Sequence, residues 1–504
     1  MENNNNKRIA KNTMMLYFRM LLTMAIGLYT SRIVLKTLGV EDFGLYNIIG
    51  GIVVLFSFLN NSMTSATQRF LNFEMGRNDH LQMKKVFSAS VNIHITIALS
   101  VIILAETVGL WFVNTQLNIP EDRFYAAGWV YQFTILSFTL SVLKVPYNAT
   151  IISNEQMSFY AYISIVEVIL KLLIVFLLNY ILFDKLILYS ILTMLVGLFM
   201  LLVCVFYCVR KYPSSRYIRV REKALYKQLL SFSGWSIFGS IANIGKTQGI
   251  NVLINIFCGV SVNAAVSVSN QIIAAVNSFV SNFQIAFNPQ ITKSYAANDK
   301  VYLFDLIFKT SKYSFFLLFA LSLPILLNTN EILNLWLTTV PKHTVGFCRM
   351  SIVYMLIESI SGPLWMTVQA TGRIKKYQIV ISSLLLLNIP IAYLLLKFKF
   401  PPYYVIGGSA IIGIFALTVR LVFLYSLALF PVKLFISKVL MRILLVVTVS
   451  YAITSLVSSF IQNNLIGTIL SIASTVIITL AVIYFAGMNT MEKSNINKQI
   501  AKRL

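Results

Sequence analysis

The sequence predicts an all-α protein that crosses a membrane about fourteen times. Three observations carry that prediction: composition, recurring apolar windows, and basic residues placed in the loops between them. Of 504 residues, 58% are hydrophobic and 12% charged, with a mean hydropathy of +0.77. A soluble domain carries about 25% charged residues. The apolar surplus here exceeds what soluble cores bury, so it must face lipid. A spanning helix takes about 20 mainly apolar residues, and such windows leave no stretch long enough for a soluble domain.

The predicted spans are 14–37, 44–68, 87–113, 124–149, 158–182, 186–209, 231–257, 264–288, 304–328, 345–370, 376–397, 404–428, 437–459 and 464–487. The signal is weaker for amphipathic spans such as the second and eighth. The start, MENNNNKRIAKN, is polar and no small-residue cleavage pattern follows the first apolar run. The first span is therefore expected to stay as an anchor.

Loop charge sets the orientation. With a cytoplasmic N-terminus, the inner segments hold Lys7, Arg8, Lys11, Arg77, Lys84, Lys85 and the loop RKYPSSRYIRVREKALYK, then Lys293, Lys300, Arg373, Lys375 and Lys376. The outer loops offer few cations, and those stand beside Glu41, Asp42, Glu121, Asp122, Asp184 and Glu331. Both termini are expected on the cytoplasmic side of the membrane.

The 210–230 stretch is the most basic and follows the sixth span, as a linker between halves would. A shift of 220 residues places Gly39-Val40 on Gly259-Val260 and Asn78-Asp79 on Asn298-Asp299. The expected organisation is a six-helix lobe over 1–209, a cytoplasmic linker over 210–230, a second six-helix lobe over 231–428, and two additional helices with a tail over 429–504. Six spans per half make the repeats parallel, with a substrate site near their interface.

Several function classes are excluded. The net charge of +24 could attract a polyanion, but the cations sit in short topogenic loops, so no nucleic acid is expected. Cys204, Cys208, Cys258 and Cys348 lie in or beside apolar windows and read as small hydrophobic filler. With three histidines, no Walker-type phosphate loop and no arguable Ser-His-Asp set, neither an enzyme nor a cofactor is expected. Transport without a nucleotide site would draw on an ion gradient or on consumption of the substrate across the membrane.

Ionisable residues inside spans are the informative ones, since each costs about 2.5–3.5 kcal/mol at a helix centre on insertion scales. Arg19 and Arg32 lie in the first span, where they can line a lumen or snorkel to either interface. Lys246 sits mid-span in IANIGKTQGIN, too deep to snorkel easily, with Gln248 and Asn251 adding polarity. Glu167 and Lys171 form either an intrahelical pair or an ion-coupling site. Glu358 precedes Gly362-Pro363, which should kink its helix and free carbonyls. It reads as a lone carboxylate suited to ion coupling or to structural pairing. Glu106, Lys144 and Arg420 are nearer span ends and are expected as interface anchors.

The second span is polar beyond its middle: Asn60, Asn61, Gln68 and Arg69 belong to a band unsuited to lipid. The eighth span repeats the pattern with Asn270 and Gln271. Such residues can glue helices together. Their density in matching places of both halves points instead to walls of a hydrated lumen, amides suiting sugar hydroxyls and cations suiting phosphate.

The stretch SRIVLKTLGVEDFGLYNIIGGIVVLFSFLNNSMTSATQRFL resembles the N-terminal signature of bacterial polysaccharide flippases of the Wzx type. These share a superfamily with multidrug-and-toxin extruders and the lipid II flippase. The signature covers about residues 29–80, and LG followed by FGLYN is its most specific part. The resemblance implies two six-helix bundles working by alternating access. The implied cargo is an undecaprenyl-diphosphate-linked oligosaccharide destined for O-antigen or capsule. Implied partners are membrane lipids, a polysaccharide polymerase and glycosyltransferases. A cation-coupled multidrug extruder of the same fold is the rival, and a non-transporting envelope scaffold is a second. Cationic-drug extruders carry acids in the N-terminal lobe cavity, whereas Arg19, Arg32 and Arg69 occupy the first two spans here.

Overall fold

A computed structural model describes residues 2–54, 57–116, 119–178, 180–181, 183–336, 340–458, 465–490 and 492–494. Side chains at further positions of α1, α2 and the start of α9, Arg32 and Asn61 among them, lie outside the described set. The described residues form helices and no strand. In chain order these are α1 (Glu2–Val54), α2 (Ser57–Gly76), α3 (His80–Leu104), α4 (Leu110–Gln116), α5 (Phe124–Ser153), α6 (Met157–Leu177), α7 (Lys185–Lys211), α8 (Lys223–Cys258) and α9 (Val260–Ala296). There follow α10 (Lys300–Leu327), α11 (Thr329–Trp336), α12 (Thr344–Thr371), α13 (Lys375–Leu386), α14 (Asn388–Lys397), α15 (Tyr404–Ala428), α16 (Val432–Phe435), α17 (Met441–Ser458) and α18 (Leu465–Val482).

Among the described residues, nine helical stretches are long and apolar enough to cross a membrane. α1, α2, α8, α9 and α17 are not among them. α2 and α9 also run past the apolar windows, to Gly76 and Ala296. Their last two turns carry Asn72 and Glu74, and Thr292 and Lys293, as amphipathic extensions of a span.

The backbone repeats at the 220-residue shift. Gly39 and Gly259 both take left-handed φ, 84° and 79°, a region that favours glycine for want of a Cβ. Asn78 and Asn298 both stand at φ 57°, where asparagine is the usual non-glycine choice. Asp79 then caps α3 by accepting from Gln82 N at 2.9 Å, and Asp299 caps α10 by accepting from Tyr302 N at 3.1 Å. α3 and α10 start at residues 80 and 300, and α5 and α12 at 124 and 344. Both pairs keep the same offset.

The chain forms two compact units. The first comprises residues 1–240 with 292–298, the second 241–291 with 299–504. In the first, a core of Ala127, Val130, Tyr131, Ile135 and Leu186 joins α5 and α7. A π-turn at Ala105–Gly109 loosens the helix continuing α3. The Tyr131 hydroxyl donates to the Ala105 carbonyl there at 2.6 Å. Gly109 lies against that hydroxyl, where a Cβ would collide. The 212–222 segment is pinned to α3: Ile218 N donates to Ser88 Oγ at 2.9 Å, and Lys85 pairs with Glu222. On another edge Arg123 joins Asp42 to Asp184, which also caps α7.

In the second unit, Ile250, Ile254, Ala265, Phe347, Ala392 and Val405 form a core. α18 packs on α10 and α17. Beyond it Glu492 accepts both oxygens' worth of hydrogen bonds from Lys312, at 2.9 and 2.8 Å. Neither side chain of that pair is more than 10% exposed.

Candidate functional site

The second unit holds a buried polar cluster built by four helices. Lys246 of α8 is 6% exposed. Its ammonium donates to the Tyr354 hydroxyl at 3.0 Å and stands 4.2 Å from the centre of that ring. Gly245 and Gly249 lie on either side of it along α8, with Leu386 and Ile389 close to their backbone. Tyr354 and Glu358 are four apart on α12 and so share one face. Glu358 accepts from Arg420 Nη1 of α15 at 3.2 Å, and Arg420 Nε donates to the Tyr377 hydroxyl of α13 at 3.2 Å. Glu358 also interacts electrostatically with Lys246. The arrangement is one carboxylate flanked by two bases, with a net charge of +1.

This geometry differs from two expectations. Glu358 is not alone, and Arg420, expected as an interface anchor, is 6% exposed and paired with it. Lys144, expected at an interface, likewise binds Glu167. Sequence spacing cannot see either pair, because each joins different helices.

The kink residues of α12 have a specific partner. Pro363 has no amide to offer the Ser359 carbonyl one turn back. Gln284 Nε2 of α9 donates to that carbonyl at 3.4 Å instead. Gly362 leaves the space the glutamine amide occupies, and a Cβ there would clash with it.

α8 presents three distinct stripes in this unit. Ala242, Lys246, Ile250 and Ile254 are buried. Ile241, Ile244, Val252 and Ile256 are exposed and suit lipid. Asn243, Thr247, Asn251 and Asn255, each four apart, are exposed or half-buried on the polar stripe, with Gln248 exposed nearby. Lys246 therefore belongs to the buried stripe, and the amides form the polar surface. α9 similarly exposes Ser267, Asn270, Gln271, Ala274 and Asn277, a small, polar face that water suits better than lipid.

In the first unit the candidates meet separate partners. Arg19 lies 4.8 Å from the centre of the Tyr160 ring, and Asn60 Nδ2 donates to Ser141 Oγ at 3.4 Å. Gln68 is half-buried. Arg69 is 7% exposed, its guanidinium 4.5 Å and 4.7 Å from the Phe70 and Phe73 ring centres and 5.8 Å from that of Phe232. Glu167 accepts from Lys171 at 2.9 Å and from Lys144 at 3.3 Å, again one carboxylate between two bases. Arg32 and Asn61 fall outside the described side chains. The sequence reading missed Tyr354, Tyr377 and Gln284. Only Tyr354 carried a local signal, its four-residue spacing from Glu358.

No protein-family profile matches the chain, and no curated protein matches it in sequence. Solved structures do match in shape. One is an outward-facing multidrug-resistance MATE transporter of the MOP superfamily, with a TM-score of 0.73, 13% identity, and 85% of this chain and 97% of that chain covered. Another is a MATE in its straight conformation, with a TM-score of 0.71, 12% identity, and 84% and 97% covered. A third is a MOP superfamily transporter from Pyrococcus furiosus, with a TM-score of 0.70, 13% identity, and 84% and 95% covered. The reverse polarity of its binding pocket suggests a different function for it. The chain has the fold of the MATE transporters of the MOP superfamily.

Proposed function

We propose that this chain is a membrane transporter, not an enzyme, that moves a lipid-linked anionic oligosaccharide across a bacterial cytoplasmic membrane by alternating access. An undecaprenyl-diphosphate-linked repeat unit is the cargo that fits, and an ion gradient the energy source. The observation that carries the reading is the cluster of Lys246, Glu358 and Arg420, whose excess positive charge lies within the spans. Beside it run the amide stripe of α8 and the polar face of α9. The net positive charge of the cluster favours an approaching diphosphate over a cationic drug, and the amides of the polar stripes suit sugar hydroxyls. Glu358 and the Glu167 triad are the groups proposed for coupling, since protonation of either carboxylate would change the local charge. The two lobes, the linker and the last two helices are assigned as 6 + 6 + 2, with both termini cytoplasmic.

A multidrug extruder is the second reading, favoured by the likeness in fold to MATE transporters. Deletion in the native host separates the two. Accumulation of undecaprenyl-linked repeat units with loss of surface polysaccharide is expected. Drug sensitivity with normal polysaccharide would establish the extruder instead. Complementation with Lys246→Ala, at native expression level, should restore little polysaccharide; full restoration would remove Lys246 from the mechanism.

A further inference from the structure

We propose that the first unit carries a binding site for an anionic phospholipid headgroup, at the membrane surface on the side of the 212–222 segment. A cavity of about 680 Å³ opens there between the end of α2, the first turns of α3, the α5–α6 turn and the start of that segment. α3 and α6 begin at this end of the unit and α5 and α7 finish there, so the cavity lies at the level where spans leave the hydrocarbon. Tyr207 and Tyr212 pack edge to face beside it, and Tyr207 stacks on Phe159, an aromatic cluster typical of that level.

The lining combines the two surfaces a phospholipid head presents. Met75, Leu81 and Met83 form its apolar part. Lys84 contributes the cation, and His80, four residues before it on α3, is a further polar group together with Asn154 and Tyr212. No acid lines the cavity. Lys84 makes no ion pair among the described residues. Of the nearby carboxylates, Glu222 pairs with Lys85, Glu155 pairs with Lys293 and Asp79 caps α3, while Glu74 is buried within α2 and interacts with Arg77 and Arg69. Around the rim, Arg210, Lys211, Arg216, Arg219 and Arg221 are exposed, a basic run of the kind that attracts anionic lipid surfaces. A soluble phosphate would satisfy Lys84 but leave the methionines and Leu81 uncovered, and a zwitterionic lipid would cover the apolar part but bring a second cation beside Lys84. An anionic phosphoglycerol head continuing into acyl chains covers both.

The full-length protein, purified in neutral detergent, tests this by native mass spectrometry of retained lipid. Probes are phosphatidylglycerol, phosphatidylcholine, glycerol 3-phosphate and undecaprenyl diphosphate. Phosphatidylglycerol should be retained over phosphatidylcholine. Lys84→Gln should weaken retention about fivefold, the effect of one surface cation, and Lys84→Glu more. Lys227→Glu, an exposed charge of the same unit away from the cavity, should change it little. Equal losses in Lys84→Gln and Lys227→Glu would mean diffuse charge and no site. Binding of glycerol 3-phosphate at the same concentration would make the ligand a soluble anion. Displacement of phosphatidylglycerol by equimolar undecaprenyl diphosphate, dependent on Lys84, would assign the cavity to the lipid carrier. Should Lys84→Glu elute as aggregate, the milder Lys84→Gln decides.

Discussion

Gln284 Nε2 donates its hydrogen bond to the Ser359 carbonyl that Pro363 leaves without a backbone amide. The side chain of one helix thus completes the ladder of another at a defined place. Gln284→Ala should destabilise the protein by about 1–3 kcal/mol, the cost of stranding a buried acceptor. In a Pro363→Ala background that cost should shrink, because residue 363 can then donate to Ser359 itself. Thermal unfolding of the two single variants and the double variant in detergent measures the difference; additive effects would separate the glutamine from the proline.

Glu358 is the only anion among three charges in its cluster, so its loss should matter most. Glu358→Gln leaves Lys246 and Arg420 facing each other uncompensated, a disruption of order 3 kcal/mol. Lys246→Met or Arg420→Met leaves a neutral pair and should lower the melting midpoint less. Adding Lys246→Met to Glu358→Gln should recover part of the loss. A double variant less stable than Glu358→Gln alone would show that the lysine does not feel that carboxylate. Transport by Glu358→Gln should also lose its response to proton and sodium gradients, which vesicle assays read directly.

The repeated turns should respond alike. Asn78→Ala and Asn298→Ala each place a Cβ residue of poor left-handed tolerance at φ 57° and should cost about 1 kcal/mol, whereas glycine at either position should be tolerated. Asp79→Ala and Asp299→Ala remove helix caps worth about 1 kcal/mol each. Chemical denaturation of the four alanine variants, compared in pairs across the 220-residue shift, checks this equivalence.

The membrane embedding and the span positions were legible because lipid imposes a length and an apolarity on every crossing. Gly39, Asn78 and their shifted partners were legible because left-handed backbone restricts residue choice locally. The cluster around Lys246 was only half legible. Its depth in an apolar window marked it, but Arg420 lies on another helix, and no spacing along the chain reports a contact across four helices. Lys144 was misjudged for the same reason. Arg69 also differs: its polar neighbourhood suggested an aqueous wall, while Phe70, Phe73 and Phe232 enclose it.

Glu74 offers a pH test outside the spans. Burial raises its pKa, with Arg77 opposing. A carboxyl whose folded pKa lies above its unfolded value favours folding while protonated, and this contribution is lost as pH rises through the interval between the two. Glu74→Gln should therefore stabilise the protein at pH 8 and change little at pH 4. Melting midpoints across that range give the sign, and equal shifts at both ends would refute the buried-acid explanation.

Lys312→Met and Glu492→Gln should each be costly, of order 3–5 kcal/mol when one partner of a buried pair is left alone. Lys312→Met combined with Glu492→Met should recover much of that loss, since two apolar side chains can replace the pair. Thermal unfolding compares all three, and a double variant as unstable as Glu492→Gln would point to roles beyond the pair.

That same pair sets an order of events during synthesis. Glu492 is translated 180 residues after Lys312, an interval of roughly 10–40 s at ordinary elongation rates. Throughout it, α10 resides in the bilayer with its deepest cation uncompensated, a state that insertion machinery or a chaperone would hold open. The Glu492 carboxylate closes it when it is made. A chain without Glu492 leaves Lys312 buried with no carboxylate opposite it.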